Sequence, residues 1–185
     1  RIRATGDVGI TLADISIRAA QPEDIDAIWE IFQVHLAAGE TYPFDAHTPR
    51  SVCEDYWLGP NVSSHVAVDP KGRVLGMYRI LPNQPGRGAH VANASYMVGQ
   101  TAQGRGIGFL MGQHSLAEAR RLGYLAMQFN YVVSTNQPAV ALWRKLGFSV
   151  AGTLPKAYLH ERLGYVDALV MYQLLSDPET WPGRI

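Results

Sequence analysis

The apolar residues of the chain recur at two spacings, one typical of strands and one typical of helices. Residues 15–19 alternate apolar and polar side chains, as a half-buried strand does. Residues 21–24 place a proline and two acids where a helix would begin. Apolar residues continue at helical spacing to about Ala38, and we expect Gly39 to end this helix. A second helix is predicted around residues 49–58.

The rest of the chain mixes hairpins with crossovers. Residues 64–69 and 73–81 read as a hairpin, because a Pro- and Gly-containing turn separates two apolar runs. Further predicted elements are a strand at 91–98, a helix at 106–122, a strand at 124–132, a helix at 138–146, and strands at 148–152 and 167–174. This order favours an α/β (α+β) fold with a mixed, mainly antiparallel central sheet flanked by helices.

Length and composition fit one globular domain. The chain has 185 residues, of which 47% are apolar, and it shows no linker or repeat. Residues 1–13 are weakly patterned, so we expect a mobile N-terminal segment followed by a single domain at 14–185. The single cysteine, Cys53, excludes a disulfide framework, and the histidines lack metal-ligand spacing. Without an apolar run of membrane length or a secretion signal, a cytoplasmic protein without a metal is expected.

Charge is balanced over the whole chain but not along it. Lys+Arg and Asp+Glu both total 16, which argues against a nucleic-acid or membrane surface. Residues 81–156, however, hold seven basic groups against one acid, a net charge of +6, whereas residues 1–80 carry −4. A basic block within a neutral protein indicates a local anion site.

A glycine-rich turn lies inside this basic block, between a predicted strand and a predicted helix. Its residues are Gln103-Gly104-Arg105-Gly106-Ile107-Gly108. Glycines allow a ligand to approach the backbone, and a helix start offers unpaired N–H groups to an anion. A Walker loop is excluded because no Gly-Lys-Ser/Thr follows, and the glycine spacing does not fit a dinucleotide fingerprint.

These residues resemble the acetyl-CoA loop of the GNAT superfamily of N-acetyltransferases, Q/R-x-x-G-x-G/A, at Gln103, Gly106 and Gly108. A second GNAT motif resembles residues 136–148, which read Asn-Gln-Pro-Ala-Val-Ala-Leu-Trp-Arg-Lys-Leu-Gly-Phe. Two motifs in the family's order are far more specific than one. More narrowly, Thr41-Tyr42-Pro43 and residues 129–137 are similar to the branch that acetylates L-azetidine-2-carboxylate and related proline analogues.

The resemblance implies acetyl-CoA as co-substrate and assigns its binding residues. The pantetheine arm would pair between two splayed strands, against the backbone of Met97 and Val98, and the Val98 N–H would polarise the thioester carbonyl. The resemblance places the acetyl-CoA contacts at Met97, Val98, Gln103, Gly104, Arg105, Gly106, Ile107, Gly108, Asn136 and Arg144.

Three asparagines are candidates for acceptor and cofactor contacts. Asn93 and Asn130 interrupt strand patterns, where Asn is disfavoured, and Asn136 precedes a helix start. A core hydrogen bond or a β-bulge for the first two, and an N-cap for Asn136, are the structural alternatives. The resemblance favours contacts in the cleft for all three.

Proton transfer is the least defined part of the prediction. Glu40 is a candidate base beside the aromatic residues of the first loop, and water held by Asn130 and Asn136 is an equal alternative. Many family members place a tyrosine, as acid for the leaving thiolate, where this chain has Trp143, so Tyr96, Tyr131 or solvent would have to supply the proton. His114 is expected at the surface.

Three functions follow from these expectations. The first is N-acetylation of a small amine, such as a proline analogue or another amino acid, in a pocket lined by Tyr42, Phe44, Asn93 and Tyr96. The second keeps the fold but takes an aminoglycoside, a polyamine or a protein N-terminus as acceptor. The third is a non-catalytic CoA-binding module. A homodimer is expected in each case, as in many superfamily members.

Overall fold

Residues 11–182 are described by a computed structural model. Residues 1–10, most of the segment predicted to be mobile, lie outside the described residues. The helices and strands, in chain order, are β1 (Ser16–Ala19), α1 (Ile25–Ala38), α2 (Arg50–Leu58), β2 (Ser63–Val68), β3 (Val74–Pro82), β4 (Val91–Val98), α3 (Ile107–Arg121), β5 (Ala126–Val133), α4 (Gln137–Lys145), β6 (Ser149–His160) and β7 (Gly164–Leu174).

The seven strands form one sheet in the order β1-β2-β3-β4-β5-β7-β6. Every neighbouring pair is antiparallel except β4 and β5, which run parallel. These two strands pair only over residues 91–93 and 126–128, so they part in the middle of the sheet. The mixed, mainly antiparallel α/β (α+β) sheet expected from the element order is therefore confirmed.

Helices cover both faces of the sheet, and each face has its own apolar core. Helices α1 and α2 bury Phe32 and Trp57 against Met77 of β3. On the other face, Met111 of α3 and Trp143 of α4 are buried with Phe129 of β5. Burial of one such side chain stabilises the fold by about 1.5–3 kcal/mol.

The final hairpin is longer than predicted. β6 and β7 include residues 153–160 and 164–166, which carried no strand signal. β6 is an edge strand with mostly exposed side chains, so the alternation that marks a half-buried strand is missing. Pairing is also interrupted between Leu154 and Tyr158, where the Lys156 N–H donates to Asp167 Oδ1 at 2.9 Å.

A cluster of titratable side chains lies between α3 and the sheet. His65 is buried and stacks on Tyr78, with ring centroids 4.9 Å apart. The hydroxyl of Tyr78 lies 2.6 Å from Nδ1 of His114, and His65 Nε2 lies 3.9 Å from Oε1 of Glu118. His114 is thus partly buried in a side-chain network, and the prediction that it is a surface residue is wrong.

The His65 cluster predicts acid sensitivity of the fold. Burial lowers the pKa of His65, Arg121 and His114 lower that pKa further, and Glu118 opposes the shift. The unfolded chain, with an ordinary imidazole pKa, therefore binds a proton more readily, and stability falls as the pH drops below about 6.5. The slope is at most about 1.4 kcal/mol per pH unit for one proton.

Urea unfolding between about pH 7 and pH 5 tests this expectation. We expect His65→Phe, which keeps the stacking on Tyr78, to reduce the pH dependence of the unfolding free energy. Part of the dependence should remain, because burial also lowers the pKa of His35. Replacement of the exposed His47 by Phe is the matched control and should leave the slope unchanged. An identical slope in wild type and His65→Phe would contradict the assignment.

Candidate active site

The glycine-rich turn joins the end of β4 to the start of α3. Gly104 and Gly106 have φ of +72° and +81°, a backbone conformation that favours glycine, and Gly106 is the N-cap of α3. The first N–H groups of a helix lack intrahelical partners, so those of Ile107 and Gly108 are available to an anion. Gly108 also lets α3 approach α4, since a Cβ there would lie 3.3 Å from Leu142 Cδ2.

β4 and β5 stop pairing after Asn93 and Gln128, and the backbone of β5 is diverted just beyond this point. The pairing of β5 with β7 shifts register between Phe129 and Val132, which marks a bulge at Asn130 and Tyr131. On β4, the hydroxyl of Tyr42 takes the place of a partner strand. It accepts a hydrogen bond from the Tyr96 N–H at 3.0 Å and donates one to the Tyr96 carbonyl.

A side chain of α1 forms a hydrogen bond with the end of β4. His35 Nε2 donates to the carbonyl of Val98 at 2.9 Å, while the Gly99 N–H donates to Leu75 in β3. Because backbone groups alternate in direction along an antiparallel strand, the Val98 N–H faces the gap, as the Tyr96 N–H does. The sequence identified neither Tyr42 nor His35 as contacts of the β4 backbone, and the role of the Val98 N–H stays a prediction.

A cavity of about 200 Å³ lies where the strands separate. Tyr42, Tyr56, Ser95 and Tyr96 form part of its wall. Its other lining residues are Thr41, Pro43, Asn93, Ala94, Phe129, Asn130, Tyr131, Val132, Val133, Asn136, Ala139 and Trp143. The lining side chains are aromatic, aliphatic or neutral and polar, and none of them is an acid, a lysine, an arginine or a histidine.

The three asparagines all line the cavity but make different contacts. Asn93 Nδ2 donates to the Gln128 carbonyl at 3.0 Å, at the last paired position of β4 and β5. Asn130 is exposed, and its Oδ1 accepts from the Gln128 side chain at 2.9 Å. Asn136 caps α4, accepting from the Ala139 N–H at 3.4 Å. Asn93 therefore has a structural contact in addition to its place at the cavity.

Two of the predicted site residues, Glu40 and Phe44, do not line this cavity. Glu40 is not among the residues that line the cavity, and its Oε1 pairs with Nη2 of Arg162 at 2.6 Å. Phe44 packs on Phe32 and Tyr56, with centroids 5.3 and 5.0 Å away, and lines a neighbouring cavity instead. The geometry gives no support to Glu40 as a base or to Phe44 as a wall of the first cavity.

The hydroxyls of the two candidate acids, Tyr96 and Tyr131, already have hydrogen-bond partners in the protein. The Tyr96 hydroxyl lies 2.7 Å from Ser115 Oγ, on the α3 side of the sheet, and burial raises the pKa of Tyr96. The Tyr131 hydroxyl donates to the carbonyl of Ala157. Trp143 packs against Tyr96, with centroids 4.6 Å apart, so its position is that of a core residue.

The remaining cofactor candidates lie along the turn and α4. Met97 is buried in the α1–α2 core, whereas Gln103 and Gly104 are exposed on the turn. Arg105 is half-buried there, and Arg144 is exposed near the end of α4. Within residues 11–182, no group of three or more His, Cys, Asp or Glu side chains is placed to hold a metal. None of the helices described is long and apolar enough to cross a membrane.

Comparison with known proteins agrees with this geometry. The profile of the Acetyltransferase (GNAT) family matches residues 25–148. The N-acetyltransferase aca1 of Schizosaccharomyces pombe is 32% identical over 152 residues, 73% of this chain and 72% of its own. Mycothiol acetyltransferases also match, and the chain spans 42% to 50% of their lengths.

Two solved structures share the fold. A GCN5-related N-acetyltransferase from Kribbella flavida is 43% identical, with a TM-score of 0.84 over 88% of this chain and 98% of its own. A phosphinothricin acetyltransferase from Sinorhizobium meliloti, solved in complex with AcCoA, is 20% identical, with a TM-score of 0.81 over 92% and 94%. The chain belongs to the GNAT acetyltransferase family and is an N-acetyltransferase that uses acetyl-CoA.

Proposed function

We propose that the protein acetylates the amine of a small molecule, and that an amino acid of the proline-analogue type is its acceptor. The observation that carries this proposal is the cavity between β4 and β5. Its volume of about 200 Å³ is below the range of roughly 300–1,000 Å³ typical of sites for drug-sized ligands. Its walls combine aromatic rings with the amides of Asn93 and Asn130, which suits a small ring with polar substituents.

The donor side of the site fits acetyl-CoA. The positive-φ turn at Gly104 and Gly106 leaves the backbone open at the N-terminus of α3, where pyrophosphate would be held. When bound, acetyl-CoA supplies an acetyl thioester. The Val98 N–H faces the gap, where it would stabilise negative charge on the acetyl oxygen, an effect typically worth about 2.7–4 kcal/mol. Tyr42 and His35 keep this strand end in place.

Proton transfer in this proposal relies on water. No carboxylate or imidazole is among the described residues that line the cavity, so no side chain there is a strong base. The amides of Asn130 and Asn136 orient the acceptor and a water molecule that removes the ammonium proton. Solvent protonates the leaving thiolate, since the hydroxyls of Tyr96 and Tyr131 are engaged with Ser115 and Ala157.

Release of free CoA thiol from acetyl-CoA with a panel of acceptors tests the proposal. We expect azetidine-2-carboxylate or proline to exceed spermidine, an aminoglycoside and a short peptide by at least tenfold in kcat/KM. Faster turnover of the peptide or the aminoglycoside would contradict it. Product mass spectrometry shows whether the acetyl group is on nitrogen.

A larger acceptor is the second candidate, and a specific feature favours it. A second cavity of about 500 Å³ shares Tyr42, Pro43 and Tyr131 with the first and extends between α1 and the β6–β7 hairpin. An aminoglycoside or the N-terminal segment of a protein would occupy both cavities. The same acceptor panel distinguishes the two candidates.

The edge of the sheet offers a surface for the homodimer that the family resemblance leads us to expect. β6 ends the sheet, and Leu154 and Leu159 on this strand are exposed. An exposed apolar edge strand is prone to pair with another chain. We propose that two copies associate through β6. Light scattering after gel filtration tests this, and a monomer at micromolar concentration would contradict it.

A further inference from the structure

Arg79 carries a partly buried positive charge that the proposed acetyl transfer does not use. It lies on β3 opposite Ser95 of β4, and the side chain is half-buried on the α1–α2 face of the sheet. Its Nη1 donates to the Tyr56 carbonyl at 2.9 Å, but its buried Nε has no hydrogen-bond partner. Within residues 11–182, no carboxylate forms an ion pair with it.

An arginine without a counter-charge is costly in such a place. Burial lowers the pKa of Arg79, yet a guanidinium remains charged in proteins. A charge that is removed from water without an opposite charge beside it is destabilising. The unpaired Nε adds to this cost, because an unsatisfied buried donor is also destabilising. A negatively charged ligand close by would compensate the charge.

Arg79 packs on the ring of Tyr56, and Tyr56 in turn lines the cavity. The guanidinium carbon lies 3.2 Å from the centroid of the Tyr56 ring, a cation–π arrangement. The hydroxyl of Tyr56 shares a hydrogen bond of 2.6 Å with Ser95 Oγ, and both residues line the cavity. A cation on the ring face withdraws electron density, which makes the phenol hydroxyl a better donor to an anion.

We propose that Arg79 determines acceptor specificity by attracting a carboxylate of the acceptor to the hydroxyls of Tyr56 and Ser95. This inference rests on the proposed small-molecule function and narrows the acceptor to amines that carry a carboxylate. Interactions between charges are strong in a partly buried, low-dielectric site. The cavity wall holds no acid, so a polyamine would meet the potential of Arg79 without a compensating negative charge.

The test compares azetidine-2-carboxylate with its carboxamide, which has the same ring and amine but no charge. We expect wild type to favour the carboxylate by at least tenfold in kcat/KM. Arg79→Met should bring the two substrates within threefold of each other, by loss of activity on the carboxylate alone. The KM for acetyl-CoA should stay unchanged.

Two further arginine variants are the controls. Arg73→Met removes an exposed arginine that follows the turn between β2 and β3, and it should keep the wild-type preference. Arg79→Lys keeps the charge and should retain part of the preference. If melting shows that Arg79→Met is unfolded, Arg79→Gln, which can still donate to the Tyr56 carbonyl, replaces it.

The outcomes separate this inference from the proposed function. An equal preference for carboxylate and carboxamide in wild type, or an unchanged preference in folded Arg79→Met or Arg79→Gln, overturns the role of Arg79. In both cases small amines are still acetylated. If neither small amine is acetylated, the proposed function itself has failed, and the inference fails with it.

Discussion

Gly106→Glu is expected to abolish binding of acetyl-CoA. Gly106 has φ of +81° and forms the N-cap of α3, the helix end that we propose binds the pyrophosphate. A glutamate there adds bulk and negative charge at the site of the phosphates. At 100 times Kd, acetyl-CoA should stabilise wild type by about 2.7 kcal/mol, which raises Tm by roughly 5–11 °C for a domain of this size. Gly106→Glu should show no shift.

Gly106→Ala is the matched control, because it carries the same backbone strain without the charge. A Cβ at this position would lie 2.8 Å from Leu12 Cδ1, but Leu12 is 46% exposed and its side chain can move. We expect a lower Tm for Gly106→Ala without ligand and a ligand-induced shift close to that of wild type. A full shift in Gly106→Glu would mean that the turn does not hold the phosphates.

The fold and the position of the glycine-rich turn were predictable because their signals are local. The turn at residues 103–108 and the motif at residues 136–148 are contiguous in sequence, and each acts largely through its own backbone or helix start. Helix and strand boundaries agree with the pattern wherever one face of an element is buried. The extension of β6 and β7 was missed since exposed edge strands need no alternation.

The acceptor side was less predictable because its contacts join distant residues. Tyr42 meets the backbone of Tyr96, 54 residues away, and His35 meets Val98, 63 residues away. Arg79 reaches Tyr56 across 23 residues. Nothing in the local pattern around a lone tyrosine, histidine or arginine encodes such a partner. Only the packing of α1 and α2 on the sheet brings them together.

Glu40 shows the limit of reasoning from sequence neighbours. Its position beside Tyr42 and Phe44 suggested a buried acid in the acceptor site. The structure turns its carboxylate to Arg162, in the turn between β6 and β7, which no pattern near Glu40 indicates. A strand hairpin more than 100 residues later in the sequence thus decides what an acid in the first loop does.

We expect Asn93→Ala to lower the stability of the fold and Asn130→Ala to lower activity on the acceptor. Asn93 donates to the Gln128 carbonyl at the fork of the sheet, so its loss leaves a backbone acceptor unpaired and costs about 1–3 kcal/mol. Asn130 is exposed and its side chain accepts a hydrogen bond from the Gln128 side chain, so stability should change by no more than about 0.5 kcal/mol. Its kcat/KM for the acceptor should fall at least tenfold, about 1.4 kcal/mol.

Melting temperature and acceptor kinetics measured on the same variants decide between the two roles. Gln113→Ala removes an exposed amide on α3, which does not line the cavity, and should leave both quantities unchanged. Asn136→Ala should lose about 1 kcal/mol as an N-cap and also slow acetyl transfer. Normal kinetics in Asn130→Ala would show that this amide does not orient the acceptor. The proline-analogue proposal would then rest on the size of the cavity alone, because the bulge that carries Asn130 would serve only to part the strands.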